Sequence, residues 1–193
     1  DIQKYNDKNT EIKYIKGTKC IKNSKLDIDN NNTKLGIKAL ANNNSNNNTA
    51  IGYFSSKTNN EGFHNTSLGS LSLKLNINGI NNTAIGFKSL NALLNDSNTA
   101  IGAFSGQNII NGSQNVLIGR NSETSNENSV NQIVIGSYAK GRIDNSVVLG
   151  NDMINLVEPT NNKICDLGSK NYQFKNIYFS GNLYNNGSIR SND

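Results

Sequence analysis

Several residue types are scarce in this chain, and each scarcity narrows what the protein can be. Trp is absent, Pro and Met occur once each, and only 34% of the 193 residues are hydrophobic. A chain of this length normally buries one sizeable apolar core, which this composition supplies poorly. No apolar run approaches the roughly 18 residues of a membrane-spanning helix, and no charged and apolar leader opens the chain. We therefore expect neither membrane insertion nor an ordinary globular core.

Residues that commonly carry catalysis or bind metals are also few. Cys20 and Cys165 are the only cysteines, and no CxxC pair or His/Cys cluster surrounds them, which argues against a zinc site and a disulfide framework. Two free thiols suit assembly in a reducing cytosol. The single histidine, His64, lies between two repeats, and no acid or nucleophile stands near it at a spacing typical of a catalytic site. The carboxylates are unclustered. We predict a protein that is not an enzyme and uses no metal or cofactor.

The positive charge does not identify a partner. Lys and Arg outnumber Asp and Glu by 19 to 14, for a formal charge of +5. The cations are scattered and are concentrated mainly in the first 40 residues rather than along one stripe, so nucleic-acid binding is not expected. Weak attraction to anionic glycans or to a membrane surface, and a plain solvated surface, are all compatible with this charge.

Asparagine, by contrast, fills about a fifth of the positions and falls on a period. A motif of the form NTAIG recurs eight times and drifts to NVLIG, QIVIG and SVVLG towards the C-terminus. Its glycines are 16 or 17 residues apart until a last interval of 14: Gly36, Gly52, Gly69, Gly86, Gly102, Gly119, Gly136 and Gly150. Six of the motifs open on an asparagine: Asn32, Asn48, Asn65, Asn82, Asn98 and Asn115. The regularity predicts an all-β chain, a parallel β-roll or solenoid of about eight stacked units.

Each unit also repeats the same columns of residues. An aliphatic residue always precedes the glycine, as at Ile51, Ile85, Ile101, Ile118 and Ile135. Side chains two apart share a face of a strand, so we expect the Thr column, three residues before the glycine, to point inward beside the aliphatic column. The Asn column lies four residues before the glycine, and small residues such as Ala84 lie between the Thr column and the aliphatic column. Both are then expected to face a neighbouring subunit.

The turns and the assembly follow from the same repeat. Glycine reaches positive φ without steric cost, so it is expected to end each strand, and the Asn-rich segments are expected to form the connecting turns. One unit is too small to bury a face alone, and a single roll of stacked units is thin. Association of three identical chains is the economical way to bury more surface.

The repeated NTAIGxxSL resembles the left-handed parallel β-roll in the heads of trimeric autotransporter adhesins, of tail-fibre proteins and of giant-virus fibre proteins. The resemblance covers residues 32 to about 154. The best-known adhesin heads have a 14-residue turn, which only the last interval here matches. The resemblance implies a homotrimeric fibre head that attaches to a host receptor, most plausibly a glycan and otherwise a protein.

A second segment resembles another part of viral fibres. KICDLGS, from Lys163, is followed by FKNIYFSG, from Phe174, and the pair is similar to the segment that precedes a self-cleaving intramolecular chaperone of the endosialidase type. This implies a virion fibre assembled in the host cytoplasm, of which the chain is an excised piece that ends before the chaperone. The alternatives are a bacterial adhesin head on the outer cell surface, a passive structural spacer and an ice-binding solenoid.

We divide the chain into an N-terminal connector or cap that continues into an upstream fibre shaft (1–30), a β-roll head (31–154) and a β-rich neck (155–193). In the neck, an apolar set is expected to close the trimer: Ile164, Leu167, Phe174, Ile177, Phe179, Leu183 and Ile189. Aromatic residues just after the glycines are candidates for receptor contact, although their period favours burial: Tyr53, Phe54, Phe87, Phe104 and Tyr138.

Overall fold

The computed structural model describes residues 4–7, 10–13, 27–29, 31–158, 166–178 and 180–182. Regular structure in this part of the chain is entirely β, and none of the described residues forms a helix that could cross a membrane. Eight of the strands coincide with the repeated motif: β4 (Asn32–Leu35), β5 (Thr49–Ile51), β6 (Thr66–Leu68), β7 (Thr83–Ile85), β8 (Thr99–Ile101), β9 (Val116–Ile118), β10 (Gln132–Ile135) and β11 (Ser146–Leu149).

These eight strands form one parallel sheet in sequence order. Their register aligns equivalent residues of successive repeats, so that Thr83 pairs with Thr99 and Ala84 with Ala100. The predicted parallel β-solenoid is confirmed, with eight strands joined by seven turns.

The first 30 residues contribute three further strands. β3 (Asp27–Asp29) pairs antiparallel with β4 and covers the first edge of the parallel sheet. β1 (Lys4–Asp7) and β2 (Thr10–Lys13) form a separate antiparallel pair.

The interior of the solenoid is filled by the Asn column, by the column of Ala84 and Ala100, and by buried Leu, Ile and Val side chains. Ala84 and Ala100 are fully buried, whereas Ile101 is 38% exposed and Thr99 is half-buried. The expectation that the Thr and aliphatic columns point inward is therefore wrong, as is the expectation that the Asn and Ala columns face a neighbouring subunit. The physical reason is that the Asn amides hydrogen-bond to backbone groups inside the solenoid, and alternation along the strand then places the Thr and aliphatic columns on the opposite side.

The buried asparagines form a hydrogen-bonded ladder that joins successive turns from Asn32 to Gln132. The Oδ1 of Asn65 accepts the backbone N–H of Asn82 at 2.9 Å, and its Nδ2 donates to the carbonyl of Gly79 at 2.7 Å. Equivalent pairs of bonds recur at Asn32, Asn48, Asn82, Asn98 and Asn115. Because unpaired buried backbone groups are costly, the ladder stabilises both the strand ends and the loops.

The glycines that end the strands stack directly on one another. Gly69 has φ +141°, and a Cβ placed on it would lie 2.5 Å from the carbonyl oxygen of Gly86. Three residues after each of the first seven glycines, a buried Ala or Ser continues the close packing, as at Ser72 and Ser89. No larger residue fits where the backbones of successive turns approach this closely.

The C-terminal residues, Leu156–Asp193, form a separate unit. In its described part no strand is present, and Leu167, Phe174 and Ile177 are exposed. The other residues of the expected apolar neck lie outside the described residues: Ile164, Phe179, Leu183 and Ile189. Cys20 and Cys165 also lie outside them.

Candidate functional site

A strip of aromatic side chains follows the strand ends. We call Tyr53, Phe54, Phe87, Phe104 and Tyr138 the aromatic strip. The residue two after each of the first seven repeat glycines has a left-handed backbone, with φ between 52° and 63°, even where it is Phe or Tyr. Such a conformation is strained for bulky residues and persists only where the surroundings impose it. Here the stacked turns impose it, because these seven equivalent residues all adopt the same backbone.

The aromatic strip lies at the surface rather than in the core. Tyr53 is 49% exposed, Tyr138 is 54% exposed, and Phe54 and Phe104 are half-buried. The expectation that packing buries these rings is therefore wrong, because the rings pack against one another at the surface, as Phe87 and Phe104 do with ring centres 5.1 Å apart.

Cations lie over the exposed rings. The Nζ of Lys57 is 4.8 Å from the centre of the Phe54 ring, and that of Lys88 is 5.4 Å from the Phe87 ring. The Arg120 guanidinium lies 5.1 Å from the Tyr138 ring and donates a hydrogen bond to its hydroxyl. The strip therefore combines flat apolar rings with positive charge, which stabilises both partners through cation–π attraction.

The outward side of the parallel sheet forms a second surface, which we call the outer face. It consists of the Thr column, continued by Val116, Ile133 and Val147, and of the aliphatic column before the glycines. The in-register pairing places like residues side by side at a strand spacing of about 4.8 Å. The outer face is thus a continuous, largely apolar stripe.

A cavity of about 720 Å³ opens where the repeat shortens. The turn between Gly119 and Gly136 has 17 residues and the next has 14, so the last turn has too few residues to cover the loop before it. Position seven after the glycine, buried in earlier turns as in Leu93 and Ile109, is exposed as Asn126. We call this cavity the notch; its side chains include Asn108, Asn121, Glu123, Glu127, Tyr138 and Lys140.

Glu123 is the one group in the described residues with a clearly shifted pKa. Burial raises the pKa of Glu123 to about 7, although hydrogen bonds from Asn108 and Gln107 and the charge of Lys140 act in the opposite direction. The backbone N–H of Gln107 donates to Oε1 at 3.1 Å, and the Nδ2 of Asn108 donates to the same atom at 3.3 Å. The carboxyl is therefore held in place and is partly protonated near neutral pH.

A second, smaller cavity of about 470 Å³ adjoins the notch, since Tyr138 and Lys140 line both. Of the notch residues, the sequence analysis had singled out only Tyr138. The sequence feature that locates the other notch residues is the 14-residue interval, because a short turn stacked on a longer one must leave part of the longer turn uncovered.

Histidine, cysteine and carboxylate side chains are the usual ligands of metal ions in proteins. His64 is exposed in a turn with φ 57°. Among the described residues, no three His, Cys, Asp or Glu side chains converge on a point where they could hold a metal ion. No protein-family model, curated protein or solved structure matches the chain.

Proposed function

We propose that the chain is the head of a non-enzymatic, homotrimeric fibre that attaches to a glycan on a host surface. The observation that carries this proposal is the aromatic strip, whose rings are half-exposed and accompanied by Lys and Arg on a rigid, regularly spaced scaffold. Exposed aromatic rings and arginine are side chains that interaction surfaces favour. A stacked solenoid holds them in place without a large globular core.

The outer face supports threefold assembly. Leu68 is 43% exposed and Ile101 and Ile118 are each 38% exposed, although they belong to one continuous aliphatic column. Association of three copies through this face would remove an apolar stripe from water. The stripe is about 34 Å long, because the eight strands span seven spacings of about 4.8 Å. The apolar residues of the neck would close the same trimer at its C-terminal end.

A glycan array tests attachment. The labelled 193-residue protein is applied to printed neutral, sialylated, sulfated and uronic-acid glycans, and binding to a restricted class of them is expected. The double variant Tyr53→Ser, Phe87→Ser should bind the array more weakly, because it removes two exposed rings. Serine is the native residue at the equivalent positions Ser70 and Ser137, so the backbone accepts it. A folded protein that binds no glycan would contradict attachment and support a passive spacer.

The resemblance to fibre proteins supports a virion as the setting, and a bacterial outer surface is the alternative. The two settings differ in what the gene encodes downstream of this segment. An intramolecular chaperone domain would support the virion fibre, whereas a membrane-anchor domain would support the bacterial adhesin. Sequencing of the complete gene decides between them.

The outward Thr column favours a second candidate function, ice binding. A flat ladder of Thr hydroxyls, one per turn, is typical of such surfaces, and the ladder here runs over five turns before Val116 interrupts it. A trimer that buries the outer face would exclude ice from it. Thermal hysteresis of a monomeric protein, abolished by Thr83→Lys, would therefore support ice binding and contradict the fibre head.

A further inference from the structure

The notch is an open cleft with the dimensions of a ligand site. Its volume of about 720 Å³ falls within the range of about 300–1,000 Å³ that small-molecule sites occupy. It is formed by the loop of one turn and the start of the next, both held by backbone hydrogen bonds between Glu123 and Ala139 and between Gly141 and Glu123. The cavity therefore belongs to the regular solenoid and does not depend on a free loop.

The side chains of the notch suit a neutral polar ligand with many hydroxyl groups. Glu123 and Glu127 supply carboxyl oxygens, Asn108 and Asn121 supply amides that both donate and accept, and Tyr138 supplies a half-exposed ring. Arg120 already donates a hydrogen bond to the Tyr138 hydroxyl. Two carboxyls facing one lysine, Lys140, do not favour an anionic ligand.

We propose that the notch binds a neutral saccharide of two or three pyranose units, a proposal that rests on glycan attachment as the function. The carboxyl groups of Glu123 and Glu127 accept hydrogen bonds from neighbouring sugar hydroxyls, and the amides of Asn108 and Asn121 bind further hydroxyls. The ring of Tyr138 packs against the apolar C–H face of one sugar, as amphipathic aromatic side chains do in binding sites. Because the 14-residue interval occurs once, each chain carries one such site.

The test uses the full chain and soluble neutral disaccharides: lactose, maltose and cellobiose, with 3′-sialyllactose as the acidic comparison. Binding is measured by saturation-transfer NMR and by titration. Three variants are compared with the unaltered protein: Tyr138→Asn and Glu123→Gln in the notch, and Leu71→Asn as the matched control outside the notch and the aromatic strip. Leu71 and Tyr138 are both two residues after a glycine, with φ 63° and 59°. Asparagine is native at the equivalent Asn121 with φ 52°, so neither substitution strains the backbone.

The expected result is binding of at least one neutral disaccharide that is about tenfold weaker in Tyr138→Asn and Glu123→Gln and within about twofold of the unaltered protein in Leu71→Asn. Thermal melting checks that all three variants are folded. Equal binding by both notch variants would overturn the notch as the site and leave glycan attachment standing. Binding of acidic glycans alone would also overturn the notch as the site and leave glycan attachment standing. If neither the disaccharides nor the glycan array binds, both the notch and the proposed function are overturned.

Discussion

Asn76 and Leu93 occupy the same position, seven residues after the glycine, in consecutive turns, and both are fully buried. The Nδ2 of Asn76 donates to the Oδ1 of Asn59 at 2.8 Å, but its own Oδ1 is buried without a hydrogen-bond partner. Leu93 offers no donor, so a column of buried amides ends here and an apolar column, Leu93 and Ile109, begins. An unpaired acceptor is unavoidable at such a boundary.

This boundary predicts that equal substitutions in the amide column have unequal effects. Asn59→Leu removes a residue whose amide bonds to Asn43 on one side and Asn76 on the other, and we expect a loss of about 2–4 kcal/mol in the free energy of unfolding. Asn76→Leu moves the boundary by one turn and gains contact with Leu93, so we expect a change within about 1 kcal/mol. Urea denaturation measures both; equal losses would contradict the boundary.

The glycine stack predicts a severe effect of a single methyl group. In Gly86→Ala the new Cβ would lie 2.5 Å from the carbonyl oxygen of Gly102, at a φ of +130° that L residues rarely adopt. We expect a loss of about 3–5 kcal/mol in the free energy of unfolding, from strain and overpacking together. Gly181→Ala is the control, because nothing lies within 4 Å of its added Cβ. Chemical denaturation of both variants checks the prediction, and a tolerated Gly86→Ala would contradict the stacked geometry.

If the outer face is the trimer interface, a charged substitution on it should lower the molar mass of the assembly and leave the fold of each chain intact. Ile101→Lys places a charge on the aliphatic column, where the side chain is already partly exposed, so the solenoid should stay folded while the trimer dissociates. Light scattering should give about 63 kDa for three chains of 21.0 kDa and the mass of one chain for the variant. Leu94→Lys, 41% exposed but outside the strands, should leave the mass unchanged. A trimer that survives Ile101→Lys would exclude the outer face as the interface.

The raised pKa of Glu123 predicts how stability depends on pH. Between the ordinary value of 4.5 and the folded value of about 7, the folded state holds a proton that the unfolded state has released, so stability falls as pH rises through this window. Glu123→Gln removes this contribution and should be more stable than the unaltered protein above about pH 7, by about 1–2 kcal/mol after allowance for partial solvent exposure. Below about pH 4.5 the advantage should vanish.

Melting temperatures across this pH range measure the effect of Glu123→Gln. Glu127→Gln, an exposed carboxyl of the same loop, serves as the control and should keep the pH dependence of the unaltered protein. Identical pH profiles for Glu123→Gln and the unaltered protein would show that Glu123 does not titrate in this window.

The repeat could be predicted in number and register because its columns are periodic over eight units. A spacing that aligns Asn65 with Asn82 leaves parallel stacking as the arrangement in which equal residues meet. The aromatic strip could be located for the same reason. Its exposure could not, because the left-handed backbone at Phe54 and Phe104 depends on hydrogen bonds between turns that are far apart in sequence.

What the sequence by itself determined is the solenoid, its turn length and the place where that length changes. What only the tertiary structure decided is which side of each strand faces inward. Alternation with period two is symmetric, so exchanging the faces leaves the pattern unchanged, and Thr99, Ala100 and Ile101 are all compatible with a core. The tertiary structure makes this choice inside the solenoid, where the amides of the Asn column donate hydrogen bonds to buried loop carbonyls.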